Sequence, residues 1–259
     1  MVFSSKIISE NTWIIHGEGC TSYLLIGEEE AIAIDTGFAT DNIRDYMQTL
    51  TDKPVTKCFN THGHFDQTGG NGFFERAYMT AEALKTAIVP YASLADKNYP
   101  LQYPITIISE GEQIDLGNRC LEVIEIPAHS PSSVAFLDID NRMLFSGDEI
   151  GHVTLIWLMM DGGQPYVEDY VYNMEKLKKR EKDFDIILTT RGDKAYDKTL
   201  LENCLNNGKK ILEGYMGEKM ELTGNEAVDF YLPEQEFKRR AIWKDTSICF
   251  DSRYVKRDK

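Results

Sequence analysis

Residues 6–26 alternate and break like antiparallel strands, with Trp13-Ile14-Ile15 and Tyr23-Leu24-Leu25-Ile26 as apolar cores on either side of a Gly17-Glu18-Gly19 turn. The second core continues through Gly27-Glu28-Glu29-Glu30 into Ala31-Ile32-Ala33-Ile34, a hairpin that stops at Asp35-Thr36-Gly37. The period then changes. Ile43, Tyr46, Met47 and Leu50 fall at helical spacing behind a Thr40 or Asp41 cap. Residues 54–60 predict the next strand, and residues 73–77 a helix after the glycines at 69, 70 and 72.

A second hairpin repeats the first. Residues 133–138, a turn through Asp140-Asn141 and residues 142–145 end in Ser146-Gly147-Asp148, so each half of the chain has a hairpin finishing on an aspartate. This predicts two similar sheet-and-helix halves, although no residue-level repeat is detectable. Residues 91–104, rich in Tyr and Pro, predict a connecting loop between them. Beyond Asp148 come an apolar run, Leu155 to Met160, and a Gly162-Gly163 break. A helix is predicted from 167 to about 181, with Tyr170, Val171, Met174 and Leu177 on one face. A strand over 185–190 delivers Arg191-Gly192-Asp193, 199–212 reads as another helix, and the tail over 230–255 as a closure of mixed helix and strand. The 259 residues suffice for one large α/β domain or two small ones; no composition break argues for two, and a single domain over 1–259 is expected.

Charge narrows the partners. Lys plus Arg number 28 against 42 Asp plus Glu, a net −14 that disfavours a nucleic acid, because phosphate neutralisation needs clustered cations. Five scattered cysteines, at 20, 58, 120, 204 and 249, form no Cys-x-x-Cys pair and fit reduced thiols in a cytoplasm. The first ten residues are too broken by polar side chains for a signal-peptide core, and the longest apolar run is too short to cross a bilayer. A cytoplasmic protein with no membrane partner is expected.

Candidate chemistry concentrates at Asn60-Thr-His-Gly-His-Phe-Asp-Gln-Thr-Gly-Gly-Asn-Gly72. His62 and His64 are two apart, so on an extended segment leaving a strand their imidazoles share a side and can meet one cation at about 2.0–2.1 Å. Asp66 repeats that phase. The stretch resembles the His-x-His-x-Asp-His motif of the metallo-β-lactamase superfamily, with Gln67 at the last histidine. Pro127-Ala-His-Ser-Pro-Ser-Ser133 resembles that family's Gly-His-Thr-Pro-Gly-Ser segment, Phe145-Ser-Gly-Asp148 its Gly-Asp strand end, and Thr190-Arg191-Gly192 stands where the family has a late Ser-His-Gly-like turn. The resemblance covers about residues 10 to 195.

The resemblance implies a four-layer αββα sandwich of two mixed sheets. It also implies a metal held by His62, His64, His129, Asp148 and Asp66, with Asp66 orienting or deprotonating a water molecule. Two imidazoles of the family's second metal site are missing, at Gln67 and Arg191. Arg191 then either takes the second cation's place as a fixed charge and holds a substrate carboxylate or oxyanion, or forms an ordinary ion pair with Asp66 or Asp148. One divalent metal is expected, zinc first, with iron or manganese as alternatives. Asp35, in a turn the family shares, is read as structural or as support for the ligands, His16 as structural, and His152 as a loop histidine rather than a replacement ligand or acid/base. Leu155 to Met160 is read as core more than pocket wall. The expected function is a metal-dependent hydrolase of a small ester, lactone, thioester or amide. Competing readings are an iron-dependent persulfide dioxygenase using His62, His129 and Asp148, and a non-catalytic ligand-binding descendant. The oligomeric state is left open.

Overall fold

A computed structural model describes residues 2–87, 102–152, 155–158, 165–221 and 235–257. The predicted loop over 91–104 falls mostly outside them, as do the Gly162-Gly163 break and the start of the tail. Strands β1 (Ser4–Ser9), β2 (Thr12–His16), β3 (Thr21–Ile26) and β4 (Ala31–Ile34) form an antiparallel meander, followed by helix α1 (Ile43–Gln48) and strand β5 (Val55–Phe59). A one-turn helix α2 (Phe65–Thr68) comes next, then β6 (Arg76–Met79) and β7 (Ile105–Ile107). From β4 onward the pairing is parallel, which completes a seven-stranded sheet in chain order.

The second sheet opens with β8 (Gln113–Asp115), β9 (Cys120–Glu125), β10 (Val134–Asp138) and β11 (Met143–Phe145). Strand β12 (Leu155–Trp157) leaves it, and helix α3 (Val167–Lys179) leads back to β13 (Ile186–Leu188) and β14 (Tyr196–Asp197). Helix α4 (Thr199–Leu212), β15 (Glu218–Lys219), β16 (Lys238–Trp243) and β17 (Thr246–Asp251) follow. The second sheet has the order β14-β13-β11-β10-β9-β8. A third, β12-β17-β16-β15, pairs the tail with residues 155–157 and was not foreseen.

Alternation along the strands builds the layers. Tyr23, Leu25, Ile32 and Ile34 face Val123, Val134, Phe136 and Phe145 in the core between the first two sheets. Their neighbours Leu24, Ala31 and Ala33 turn the other way, onto Ile43 and Met47 of α1. On the second sheet Ala135 and Leu137 turn outward to Tyr170, Met174 and Leu177 of α3 and Leu201 and Cys204 of α4. A strand buried on both faces needs apolar residues at every position, which is why 23–26 and 134–137 read as continuous runs. The third sheet packs Ile248, Phe250 and Ala241 into that same outer core.

Several local expectations need correcting. Residues 73–77 are not a helix: Phe73 closes a 3₁₀ turn and β6 begins at Arg76, because Ala77 and Met79 are buried between parallel neighbours. The helical turn lies earlier, at α2, where four residues are too few to show a period. The α1 cap is Asn42, whose side chain accepts from the backbone of Asp45, rather than Thr40 or Asp41. Gly69 and Gly70 have ordinary helical or near-helical backbone angles and serve close approach instead. A Cβ on them would lie 2.7 Å from the Gly37 carbonyl and 2.5 Å from that of Thr36.

Candidate metal centre

The candidate residues come from strand ends along one edge of the sandwich. β4 ends on Asp35, β5 on the loop carrying His62 and His64, β11 on Asp148 and β13 on Thr190 and Arg191, while the β9–β10 connection carries His129. Main-chain bonds stitch these ends together. Asp35 N donates to Phe59 O at 2.9 Å, Val134 N to Thr61 O at 2.7 Å, and Thr21 N to Thr190 O at 2.8 Å.

His62, His64 and His129 converge. Their rings stand nearly perpendicular to one another, with centroids 4.6, 4.9 and 4.8 Å apart, and one nitrogen from each lies within 4.8 Å of the others. All three are buried, and among the described residues this is the one cluster of His, Cys, Asp and Glu with such geometry. Tetrahedral ligands at about 2.0–2.1 Å from a metal stand roughly 3.3 Å from each other. His64 Nδ1 and His129 Nε2, 3.0 Å apart, are near that value.

The outer nitrogens of His62 and His129 are fixed by the protein. His129 Nδ1 donates to the Trp157 carbonyl at 2.7 Å, which leaves Nε2 facing the cluster. Thr61 Oγ1 donates to Asp35 Oδ2 at 2.8 Å and lies 3.1 Å from His62 Nδ1, so it accepts the proton there and His62 Nε2 keeps its lone pair. That Nε2 is buried with no hydrogen-bond partner. A buried nitrogen left unpaired costs free energy of about 1–3 kcal/mol, and a cation between the three rings would relieve it. The residues therefore fit a metal.

Electrostatics favour the neutral ligand. Burial, the two neighbouring imidazoles and Arg191 together hold His62 well below the ordinary histidine range. Burial pushes Asp35 well above the usual carboxyl range, against the two bonds it accepts from Thr61. Burial and nearby carboxylates, Asp66 first, raise the Cys20 thiol.

The acidic candidates have partners of their own. Arg191 Nη2 bonds Asp66 Oδ2 and lies 3.4 Å from Asp148 Oδ2, while Nη1 bonds the Gly19 carbonyl. Thr190 Oγ1 bonds the other oxygen of Asp148, and Asp148 Oδ2 is 3.7 Å from His129 Nε2. Arg191 thus pairs with both aspartates, and its forked donors meet protein acceptors on both arms. His152 lies apart, stacked on Tyr196 with Nε2 3.8 Å from Asp245 Oδ2, as a loop histidine. His16 ends β2, paired with Thr21. Ile156 and Leu158 are core, as expected, while the Trp157 carbonyl serves the site.

Three supports were not legible. Glu149 is fully buried and its Oε1 accepts from the backbone nitrogens of Ala128 and His129 at 2.9 and 2.7 Å, which fixes the His129 loop; burial pushes its carboxyl up to about 8. Ser132 Oγ accepts from Gly63 N at 3.0 Å, joining the two histidine loops. Thr61, next to His62, carries the link to Asp35. The only sequence signal for Glu149 was its place beside Asp148, in the turn that follows β11.

The family model of the metallo-beta-lactamase superfamily matches residues 16–189. Acyl-coenzyme A thioesterase MBLAC2 of Homo sapiens is 29% identical over 195 residues, covering 62% of this chain and 68% of its own. A hydroxyacylglutathione hydrolase of Rhodospirillum rubrum is 29% identical over 100 residues, 37% of this chain and 34% of its own. Among solved structures, a metallo-beta-lactamase from Pontibacter korlensis has a TM-score of 0.62 at 21% identity, covering 80% of this chain and 99% of its own.

Proposed function

Since the chain belongs to the metallo-beta-lactamase superfamily, we propose that it is a metal-dependent hydrolase of thioesters. The observation that carries the reading is the buried His62–His64–His129 cluster with an unpartnered Nε2 on His62. The names of two relatives, an acyl-coenzyme A thioesterase and a hydroxyacylglutathione hydrolase, narrow the earlier choice of ester, lactone, thioester or amide to the thioester. A divalent ion, zinc first, with iron or manganese as alternatives, supplies Lewis acidity and a water molecule acidic enough to lose its proton near pH 7.

The chain's own residues do the rest. His62, His64 and His129 would hold the ion as neutral donors, the outer nitrogens of His62 and His129 being set by Thr61 and Trp157. Asp66, buried and paired with Arg191, would orient that water and accept its proton. Asp148 stands at the rim with its Oδ2 3.7 Å from His129 Nε2 and would be the carboxylate added to the three imidazoles. Three imidazoles, rather than two, bring a nitrogen to a common point, which suits hydrolysis better than the two-histidine, one-carboxylate set of an iron oxygenase.

Elemental analysis of protein purified without chelator, run beside hydrolysis of acyl-CoA and hydroxyacylglutathione, tests this. Bound zinc with thioester turnover is expected. Stoichiometric iron with oxygen uptake points to the oxygenase instead, and protein without metal or turnover to a binding protein.

A further inference from the structure

The two carboxylates beside the imidazole cluster raise a question of charge. Asp66 is 2% exposed and the Asp148 side chain 12%, and both lie at the same strand-end edge as three neutral rings. Such a set, two anions next to three nitrogen donors, could hold a second divalent ion at the separation of about 3.5–4 Å found in two-metal sites. That space already contains a cation. Arg191 Nη2 bonds Asp66 Oδ2 and lies 3.4 Å from Asp148 Oδ2, and that same Asp148 oxygen is 3.7 Å from His129 Nε2. The guanidinium is therefore one carboxylate away from the imidazoles.

We propose that Arg191 is a built-in second cation, so that the site takes one divalent ion and excludes another; this rests on the metal-centre reading above. A guanidinium has no lone pair to give and does not lose its proton, so it neutralises the aspartates without offering a ligand. It is also fastened from the far side, where Nη1 bonds the Gly19 carbonyl in the β2–β3 turn. An incoming ion would have to displace that bond and both aspartate contacts, and would meet a like charge within a few ångströms. Gln67, next to Asp66, adds to the exclusion. Its side chain is fully buried with neither amide atom hydrogen-bonded, and its carbonyl is a poor donor to zinc compared with an imidazole. The same contacts make Arg191 a positioning residue for Asp66 rather than an anchor that swings to the substrate.

Metal per chain decides it, read by elemental analysis after equilibrium with excess zinc or cobalt and removal of free ion. The full chain is expected to retain one equivalent, and the Gln67→His/Arg191→His double variant, which replaces a cation and an amide with two imidazoles, close to two. A wild-type chain with two equivalents overturns the proposal, as does a folded double variant that still holds one. A wild-type chain with none, under conditions where the His62→Ala variant also has none, removes the metal-centre reading itself. Where the double variant does not fold, Arg191→Gln serves, since it keeps most of the length and loses the charge. Its second equivalent of cobalt is expected to bind at least about tenfold tighter than any in the wild type, and unchanged weak binding overturns the assignment.

Discussion

Glu149 and Gly147 flank Asp148 and bear on the candidate metal centre through the backbone around it. Removing the Glu149 acceptor would leave the Ala128 and His129 amides unpaired in a buried loop, at about 1–3 kcal/mol each. Glu149→Ala is expected to weaken zinc binding by roughly 10–100-fold, the range for loss of a group that orients a ligand. Glu149→Gln, which keeps an acceptor, should cost much less, and competition with a chromogenic chelator would show the contrast. Equal loss in both would mean that Glu149 does not act through those two amides. Gly147 sits at φ +58, and a Cβ there would fall 2.8 Å from Thr61, the residue that links Asp35 to His62. Gly147→Ala is expected to cost at least about 1–2 kcal/mol in stability for the left-handed backbone alone, and to lower metal affinity with it. Unfolding in denaturant, with and without zinc, measures both.

At the level of elements, a buried ion pair holds the far end of the two sheets. Arg119, at the β8–β9 turn, pairs with Asp138 on β10 and also bonds Thr12 Oγ1 and the carbonyls of Asn11 and Ile26 on the first sheet. Both side chains are at most 2% exposed. Arg119→Met would leave the buried Asp138 charge with only the neutral donors of Asn141 and is expected to destabilise the fold by about 3–5 kcal/mol, read from the denaturation midpoint. A loss below about 1 kcal/mol would show that Asn141 or water compensates the Asp138 charge. Nothing in the sequence pointed to this pair, because residues 19 apart on different elements share no local pattern. The hairpins ending on Asp35 and Asp148 were legible, since strands buried on both faces leave unbroken apolar runs. So were α3 and α4, whose stripes fall at helical spacing over 13 and 14 residues. The turn at α2 and strand β6 were not, being too short to carry a period. His62, His64 and His129 were legible by motif, whereas the partners of Arg191 needed the fold.

Across the whole molecule, the two halves predicted from the paired hairpins correspond in pairing. β3 and β4 are antiparallel with β5 returning parallel after α1, and β10 and β11 are antiparallel with β13 returning parallel after α3. The third sheet is an addition to that plan, closed by Asp251, which bonds Lys238 and Arg253. Burial alone would raise the Asp251 carboxyl, but the bonds from Arg253 and Lys238 outweigh it and hold it down to about 2. Its stabilisation is therefore complete above the unfolded value of about 3.9 and is lost as pH falls from there toward 2. Asp251→Asn should flatten that part of the acid-unfolding curve, and an unaltered curve would place the acid sensitivity elsewhere.

No helix among the described residues is long and apolar enough to cross a membrane. The net charge of −14 has a consequence for a thioester carried on an anion such as coenzyme A. The mean field repels it, so kcat/KM for acyl-CoA is expected to rise as salt is added up to about 0.15 M, where screening acts over roughly 8 Å. A steep fall instead would reveal a local cationic patch that outweighs the net charge. If the three imidazoles hold the ion on which thioester hydrolysis depends, the rate of acyl-CoA hydrolysis in chelator-stripped protein titrated with zinc follows the metal. A rate near zero without metal is expected, with restoration that saturates at one equivalent in the wild type but not in His129→Ala. Full activity in the metal-free protein would contradict it.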